Sequence, residues 1–133
     1  MATVLADVRG RVRAVLGDWR YVDTSELFWQ QVGEGAVRLT RHLDENPDDL
    51  QLAEVALGSA AADYLADYLG AVLNNGRAIG VVREDIDFAL MLAASSALVK
   101  AADLWSIGIL RDGATEEYAA AQFRQLLGGL WAK

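Results

Sequence analysis

The sequence predicts an all-α protein, an antiparallel bundle of about six helices. Hydrophobic residues make up 53% of the 133 residues, and the chain has only one proline, a composition typical of helical bundles. Apolar residues recur every three or four positions along most of the chain, which is the spacing of one helix face. Gly, Asn, Asp, Ser and Thr separate these periodic segments, as expected at helix ends.

The first two helices are predicted from apolar stripes and one capping signal. Residues 2–19 are expected to form an amphipathic helix. Its stripe consists of Val4, Val8, Val12, Leu16 and Trp19. Asp23 and Glu26 have the spacing of a capping box, in which each side chain satisfies a free backbone amide of the other. A second helix is therefore expected to extend from there to about Asp44.

The next two helices are predicted from their ends. Asn46, followed by Pro47 and two acidic residues, is a complete helix start, and this third helix is expected to end at Gly58. Ser59 is expected to cap a fourth helix. Gly80 can adopt the left-handed conformation that ends a helix after its last apolar turn.

The fifth helix, from about Asp85 to Gly108, is apolar on nearly all sides. Asp85 or Asp87 is expected to cap it. Bulky residues occupy one side, and a second stripe of smaller residues contains Leu90, Ala93, Ala97, Ala101 and Leu104. The core of so small a domain can cover one side, so a partner molecule is the natural cover for the other. Thr115 is expected to cap the last helix, which follows a turn at 111–113.

Composition excludes several classes of function. The formal net charge of −7 argues against a phosphate-binding surface, because such surfaces concentrate Lys and Arg. The chain contains no cysteine and hence no disulfide framework or thiolate ligand. The amino-terminal residues do not have the pattern of a signal peptide, and the longest apolar run is too short for a membrane span. We expect one soluble, cytoplasmic domain covering residues 1–133.

No catalytic or metal-binding pattern stands out. His42 is the single histidine, and neither a Gly-x-Ser-x-Gly nucleophile elbow nor a phosphate-binding glycine loop occurs. Asp63 and Asp67 are one helical turn apart, but such a pair is more simply part of a solvated face. We therefore expect no enzyme activity, no cofactor and no metal site. A small-cavity enzyme that uses Asp or Tyr side chains is a weaker alternative.

The segment between the fourth and fifth predicted helices carries a family resemblance. Gly76, Ala78, Gly80, Arg83 and Asp85 match the pattern G-Q-A-x-G-x-x-R-x-D, with an arginine in place of the glutamine. This segment resembles the regulatory half of TetR/AcrR-family transcriptional regulators. The resemblance implies an effector pocket among the helices and a homodimer in which the last two helices of each subunit form a four-helix bundle. The amino-terminal helix-turn-helix domain of that family is expected to be absent here.

Two sets of candidate residues follow from the stripes together with the resemblance. The candidate effector pocket, for a small organic molecule, contains Phe28, Trp29, Val32, Tyr64, Tyr68, Leu69, Phe88, Met91 and Trp105. The candidate dimer interface contains Leu90, Ala93, Ala97, Ala101, Leu104, Phe123, Leu127, Leu130 and Trp131. The aromatic residues of the first set are also open to a simpler interpretation, in which they are ordinary core.

The functional hypothesis is an effector-sensing and dimerisation domain of a TetR/AcrR-like regulator. Such a chain is expected to form a homodimer and to bind neither membranes nor, by itself, DNA. The alternative is a stand-alone helical interaction protein that uses the same dimer surface without a ligand, because an inherited fold does not guarantee an inherited ligand.

Overall fold

The computed structural model describes residues 14–46 and 66–132, and the regular secondary structure of these residues is entirely helical, without a strand. The prediction of an all-α protein is thereby confirmed for this part of the chain. Four helices follow the helical residues 14–16: α1 is Ser25–Glu45, α2 is Ala66–Ala78, α3 is Phe88–Arg111 and α4 is Glu116–Trp131. Residues 2–13, the predicted third helix and the predicted start of the fourth lie outside the described residues.

Helix α3 is the centre of the packing. It contacts α1, α2 and α4, and α1 also contacts α4. The described core contains side chains from all four helices and from the segments that connect them. Its most deeply buried large members are Phe28, Leu39, Leu43, Val72, Leu73, Met91, Leu127 and Trp131.

The start of α1 differs from the prediction by one residue. The cap is Thr24, whose Oγ1 accepts a hydrogen bond from the Leu27 amide at 3.2 Å. Asp23, the predicted cap, precedes it and is exposed. Both residues are good caps, so the sequence alone did not separate them. The predicted end near Asp44 is confirmed, because α1 ends at Glu45.

The helix that precedes α1 ends earlier than predicted. Gly17 has a φ of 69°, in the left-handed region that ends helices, and residues 17–22 are not helical. Trp19 is nevertheless buried. Its Nε1 donates to Asn75 Oδ1 at 2.9 Å, and the same oxygen accepts the Val22 amide at 2.9 Å. The apolar spacing of Trp19 correctly indicated burial but incorrectly indicated a helix.

The connection between α2 and α3 follows the predicted pattern. Gly80 has a φ of 81°, and the Val81 amide donates to the Gly76 carbonyl at 2.8 Å, so α2 ends in a glycine-dependent turn. Asp87 caps α3 through a 3.1 Å hydrogen bond from the Leu90 amide. Asp85, the other candidate cap, instead pairs with Arg83.

The connection between α3 and α4, residues 112–115, is shorter than that between α2 and α3, residues 79–87. Gly113 has a φ of 101°, and Thr115 caps α4 by accepting a hydrogen bond from the Tyr118 amide at 3.1 Å. Both features confirm the prediction. The predicted fifth helix was displaced by about one turn, since α3 begins at Phe88 and continues to Arg111.

Helix α3 is long and apolar enough to cross a membrane by length and composition, alone among the described helices. The core helix of a soluble protein meets the same criterion. Lys100 and Asp103 of α3 are both buried within the protein. The expectation of a protein without a membrane span stays a prediction.

Gly76 is a close-contact position. A Cβ atom at this residue would collide with the Val82 side chain and would lie 3.2 Å from Phe28 Cζ. We therefore expect Gly76→Ala to lower the free energy of unfolding by about 1–3 kcal/mol through overpacking, measured by urea denaturation.

Gly33→Ala is the matched control for this variant. No described atom lies within 4 Å of a Cβ at Gly33, and alanine is the better helix former by about 0.5–1 kcal/mol. Gly33→Ala should leave stability unchanged or raise it. Equal losses in the two variants would show that the contact at Gly76 is unimportant.

Candidate functional site

A cluster of aromatic rings joins α1, α2, α4 and the segment before α1. Trp131 stacks on Trp29 with centroids 5.7 Å apart and meets the edge of Phe28 at 5.9 Å. Trp19 contacts Phe28 at 5.5 Å and Tyr68 at 5.8 Å. Edge-to-face contacts such as these favour a fixed ring arrangement. Phe28, Trp29 and Tyr68, three of the predicted pocket residues, are therefore packed within this cluster of rings.

A small space, the inner cavity, lies beside this cluster and has a volume of about 30 Å³. It is lined by Val32, Tyr68 and Leu69, all three of which are predicted pocket residues, together with Gly35 and Val72. A Cβ at Gly35 would lie 2.8 Å from the Tyr68 hydroxyl oxygen, so this glycine makes room for the tyrosine. Burial raises the pKa of Tyr68 above its ordinary value.

The other predicted pocket residues are distributed more widely. Met91 is buried in the core, and Phe88 lies under the Arg77 guanidinium, with Cζ 5.2 Å from the ring centroid. Trp105 is 43% exposed and is tilted against Tyr118 on the opposite side of α3. We therefore assign Trp105 to the outer surface and not to the pocket. Tyr64 lies outside the described residues.

The outward side of α3 and the adjoining side of α4 form an exposed apolar surface, here called the outer face. On α3 it contains Leu90, which is 62% exposed, and the exposed residues Ala93, Ala97, Ala101 and Trp105. On α4 it contains Tyr118 and Leu126, both exposed. An open groove of about 660 Å³ lies between the two helices here.

Three predicted interface residues lie in the core of the chain itself. Phe123, Leu127 and Trp131 are buried, because their four-residue spacing places them on the side of α4 that faces the bundle. Leu104 and Leu130 are half-buried. The surface that remains for a partner is therefore narrower on α4 than predicted, and there it depends on Tyr118 and Leu126.

A second small space, the side cavity, lies between α1, α3 and α4 and also has a volume of about 30 Å³. The hydroxyl-bearing residues Thr40 and Ser106 line it, and at its rim the exposed Arg41 and Glu116 form an ion pair with a 2.7 Å contact. Behind Thr40 lies Asp103, which is 1% exposed and hydrogen-bonds with Thr40. Among the described residues, Asp103 Oδ2 has no hydrogen-bond partner.

The environment of Asp103 sets its charge. Burial raises the pKa of its carboxyl well above the ordinary value, and the hydrogen bond with Thr40 lowers it by less. A buried carboxylate is costly, so burial favours the neutral acid at this position. Lys100, one turn earlier on α3, is buried as well. Strongly perturbed carboxyl groups of this kind occur often at functional sites.

The remaining polar candidates have structural contacts. His42 Nδ1 lies 3.3 Å from the Asn46 side-chain nitrogen near the end of α1. Across residues 14–46 and 66–132, no group of three His, Asp, Glu or Cys side chains is placed to hold a metal ion.

Sequence reasoning missed Asn75 and Asp103. Each is a buried polar residue inside an apolar helix stripe, with 2% and 1% of its surface exposed. The sequence did contain a signal for them, namely a polar residue at a core position of an apolar helix stripe. Such a residue indicates a buried group that requires a hydrogen-bond partner. Asn75 has such partners: it receives two hydrogen bonds and its Nδ2 donates to the Val22 carbonyl at 2.8 Å.

Comparisons with protein-family models, curated proteins and solved structures find no match to this chain.

The charge state of Asp103 makes a prediction about stability. The folded protein retains a proton that the unfolded chain releases near about pH 4, so the contribution of Asp103 to stability falls as pH rises above that value. Asp103→Asn cannot titrate. The free energy of unfolding of Asp103→Asn minus that of the unmodified protein should therefore increase by up to about 1.4 kcal/mol per pH unit. Urea denaturation at several pH values from 5 to 8 measures this difference.

Asp112→Asn serves as the control, because Asp112 is exposed at the end of α3. It should shift stability little at any pH. A stability difference for Asp103→Asn that is the same at every pH would contradict a neutral Asp103.

Proposed function

We propose that this chain is the effector-sensing and dimerisation domain of a TetR/AcrR-like regulator. The observation that carries the proposal is the outer face. In the proposed homodimer, α3 and α4 of each subunit form a four-helix bundle across a two-fold axis. Such an interface is self-complementary, because the same patch contacts its copy.

The composition of the outer face supports this use. Its centre on α3 consists of the small exposed residues Ala93, Ala97 and Ala101, flanked by Leu90 and Trp105. Small residues let two helices approach closely, and larger ones at the ends fill the remaining space. Extended apolar surface on a small protein is typical of an interaction site.

The connection between α2 and α3 gives four of the five matched residues of the family pattern a physical role. Gly76 allows close approach of Val82, and Gly80 adopts positive φ. Arg83 forms a two-pronged ion pair with Asp85 at 2.7 and 2.8 Å. These roles agree with the pattern on which the resemblance rests.

Arg77, which replaces the glutamine of the pattern, also supports the connection. It donates to the Arg83 carbonyl at 3.2 Å and to the Ile86 carbonyl at 2.6 Å. Its guanidinium thereby satisfies two carbonyl groups of the irregular segment. The substitution is compatible with the turn that the family pattern implies.

For the effector, the inner cavity is the proposed site. Its aromatic and aliphatic walls suit an organic molecule. Trp19, in the segment before α1, contacts the cavity-lining Tyr68 and donates a hydrogen bond to Asn75 of α2. An effector that displaced Tyr68 would disturb Trp19, and so would change how that segment is held. Differential binding of this kind shifts an equilibrium between two arrangements.

A second function, an interaction protein without a ligand, is favoured by one observation. The inner cavity of about 30 Å³ is far below the roughly 300–1,000 Å³ of a pocket for drug-sized molecules. If the chain is an interaction protein without a ligand, its outer face would pair with another helical protein. Either function agrees with the net charge of −7, which disfavours direct binding of DNA by this chain.

The dimer has a mutational test. Ala97→Arg and Ala101→Arg each place a charge at the centre of the outer face, where an unpaired buried charge costs several kcal/mol. We expect both variants to remain folded, because the two alanines are exposed within the subunit. Both should shift from dimer to monomer in sedimentation velocity experiments.

Ala78→Arg is the control for these variants. Ala78 is exposed at the end of α2 and lies outside the outer face, so this variant should associate like the unmodified protein. Association that survives both Ala97→Arg and Ala101→Arg would remove the outer face as the interface.

Native mass spectrometry of the purified protein distinguishes the two functions. A sensor that retains its effector should give a mass of two chains plus a small organic adduct. Gly35→Leu should abolish the adduct, because its side chain would occupy space beside the Tyr68 hydroxyl. A dimer without an adduct, also after incubation with cell extract, would favour the interaction protein.

A further inference from the structure

An open groove, here called the end groove, lies where the start of α1, the end of α4 and the turn after α2 meet. Its volume is about 660 Å³, within the roughly 300–1,000 Å³ of pockets that take drug-sized molecules. Ser25 and Trp29 of α1, Gly80 of the turn, and Arg124 and Gly128 of α4 are among the residues that line it. None of the described residues that line the end groove also lines the inner cavity.

Arg124 gives the end groove its charge. It is the single charged side chain among the described residues that line the groove, although the whole chain has a net charge of −7. Glu26, Glu84 and Glu117 lie within a few residues of the lining in the sequence. All three are exposed, so water and salt screen their charges. The lining therefore favours a negative ligand.

Aromatic packing sets the position of Arg124. Its Cζ lies 5.4 Å from the centroid of the Trp29 ring, where a cation is attracted by the face of the indole. Trp29 in turn stacks on Trp131, with the ring centroids 5.7 Å apart. Within the described part of the chain, no group accepts a hydrogen bond from the Arg124 guanidinium. Its N–H donors are therefore available to a ligand at a position that two packed indoles fix.

Other polar groups of the end groove supplement Arg124. The Ser25 hydroxyl and the Gln125 side-chain amide also line it, and both can donate hydrogen bonds. Helix α1 begins at Ser25, and the start of a helix favours a negative group. The end of α4 has the opposite polarity, but the Trp131 carbonyl there already accepts the Arg83 amide at 2.7 Å.

The rest of the lining is apolar. Ile79 and Val81, on either side of the glycine turn, contribute aliphatic surface. Gly128 leaves the edge of the Trp29 ring uncovered, because even a Cβ at this glycine would come no closer than 4.0 Å to Trp29 Cη2. The complementary ligand therefore has an apolar body as well as a negative charge.

We propose that the end groove binds a small organic carboxylate, whose charged end pairs with Arg124 and whose apolar body lies against Trp29, Ile79 and Val81. A guanidinium matches the two oxygens of a carboxylate with two parallel hydrogen bonds. This site goes beyond the proposed regulator function. It requires neither a dimer nor an effector in the inner cavity.

The test is a titration of the purified protein with para-trifluoromethylbenzoate at constant ionic strength, followed by ¹⁹F NMR. We expect saturable binding. The corresponding benzamide has the same apolar body without the charge and should bind at least about fivefold more weakly. Inorganic phosphate, which has charge but no apolar body, should not displace the benzoate at equal concentration. Absence of saturation, equal binding of the benzamide or displacement by phosphate would overturn the proposal.

Two variants and one control locate the site. Arg124→Gln, at an exposed residue, should weaken binding of the benzoate at least about fivefold. Gly128→Leu should block binding while Arg124 stays in place, because the added side chain occupies the groove beside Trp29. Arg111→Gln removes the same charge near the opposite end of α1, where Arg111 pairs with Asp44, and should bind the benzoate normally. Unchanged binding in either of the first two variants, or an equal loss in the control, would overturn the assignment.

Discussion

The indole of Trp131 is the contact on which the described fold depends. It is fully buried near the end of α4, stacks on Trp29 of α1, and donates from Nε1 to Ser95 of α3 at 2.9 Å. The Trp131 carbonyl accepts the Arg83 amide at 2.7 Å. One residue therefore joins three helices and the connection between α2 and α3. The position of α4 is fixed at its carboxyl end by hydrogen bonds as well as by apolar packing.

Asn75 has a comparable role at the other edge of the core. Its three side-chain hydrogen bonds satisfy polar groups of the irregular segment 17–22, which otherwise would leave backbone groups unpaired next to apolar residues. Asp103 differs, because its hydrogen-bonding capacity is only partly used. Asn75 therefore fixes the irregular segment, whereas Asp103 keeps one carboxyl oxygen without a hydrogen-bond partner among the described residues.

The sequence was informative where the signal is local. Glycines 80 and 113 and the caps Asp87 and Thr115 act through their nearest neighbours, and these predictions were confirmed. What covers the stripe of Phe123, Leu127 and Trp131 on α4 could not be predicted. An apolar stripe has the same spacing whether the rest of its own bundle or a partner protein covers it. The family resemblance directed these residues to an interface, whereas packing placed them in the core.

The candidate site was predictable only in its aromatic part. Tyr68 and Val32, which the sequence placed in one candidate pocket, both line the inner cavity because they lie on apolar helix faces that meet. The side cavity lies where Thr40 of α1 meets Ser106 of α3, two residues far apart in the sequence. Only the packing of α1 against α3 brings them together.

The alanines at the centre of the outer face have a mechanical consequence. A row of methyl groups is a smooth surface without deep knobs and holes, so two such helices in the proposed dimer can slide along each other at low cost. The larger side chains of Leu90 and Trp105, near the two ends of α3, would then set the register. In the proposed dimer, a small conformational change inside one subunit would then shift the two α3 helices along each other. This shift would change the distance between the far ends of the two subunits.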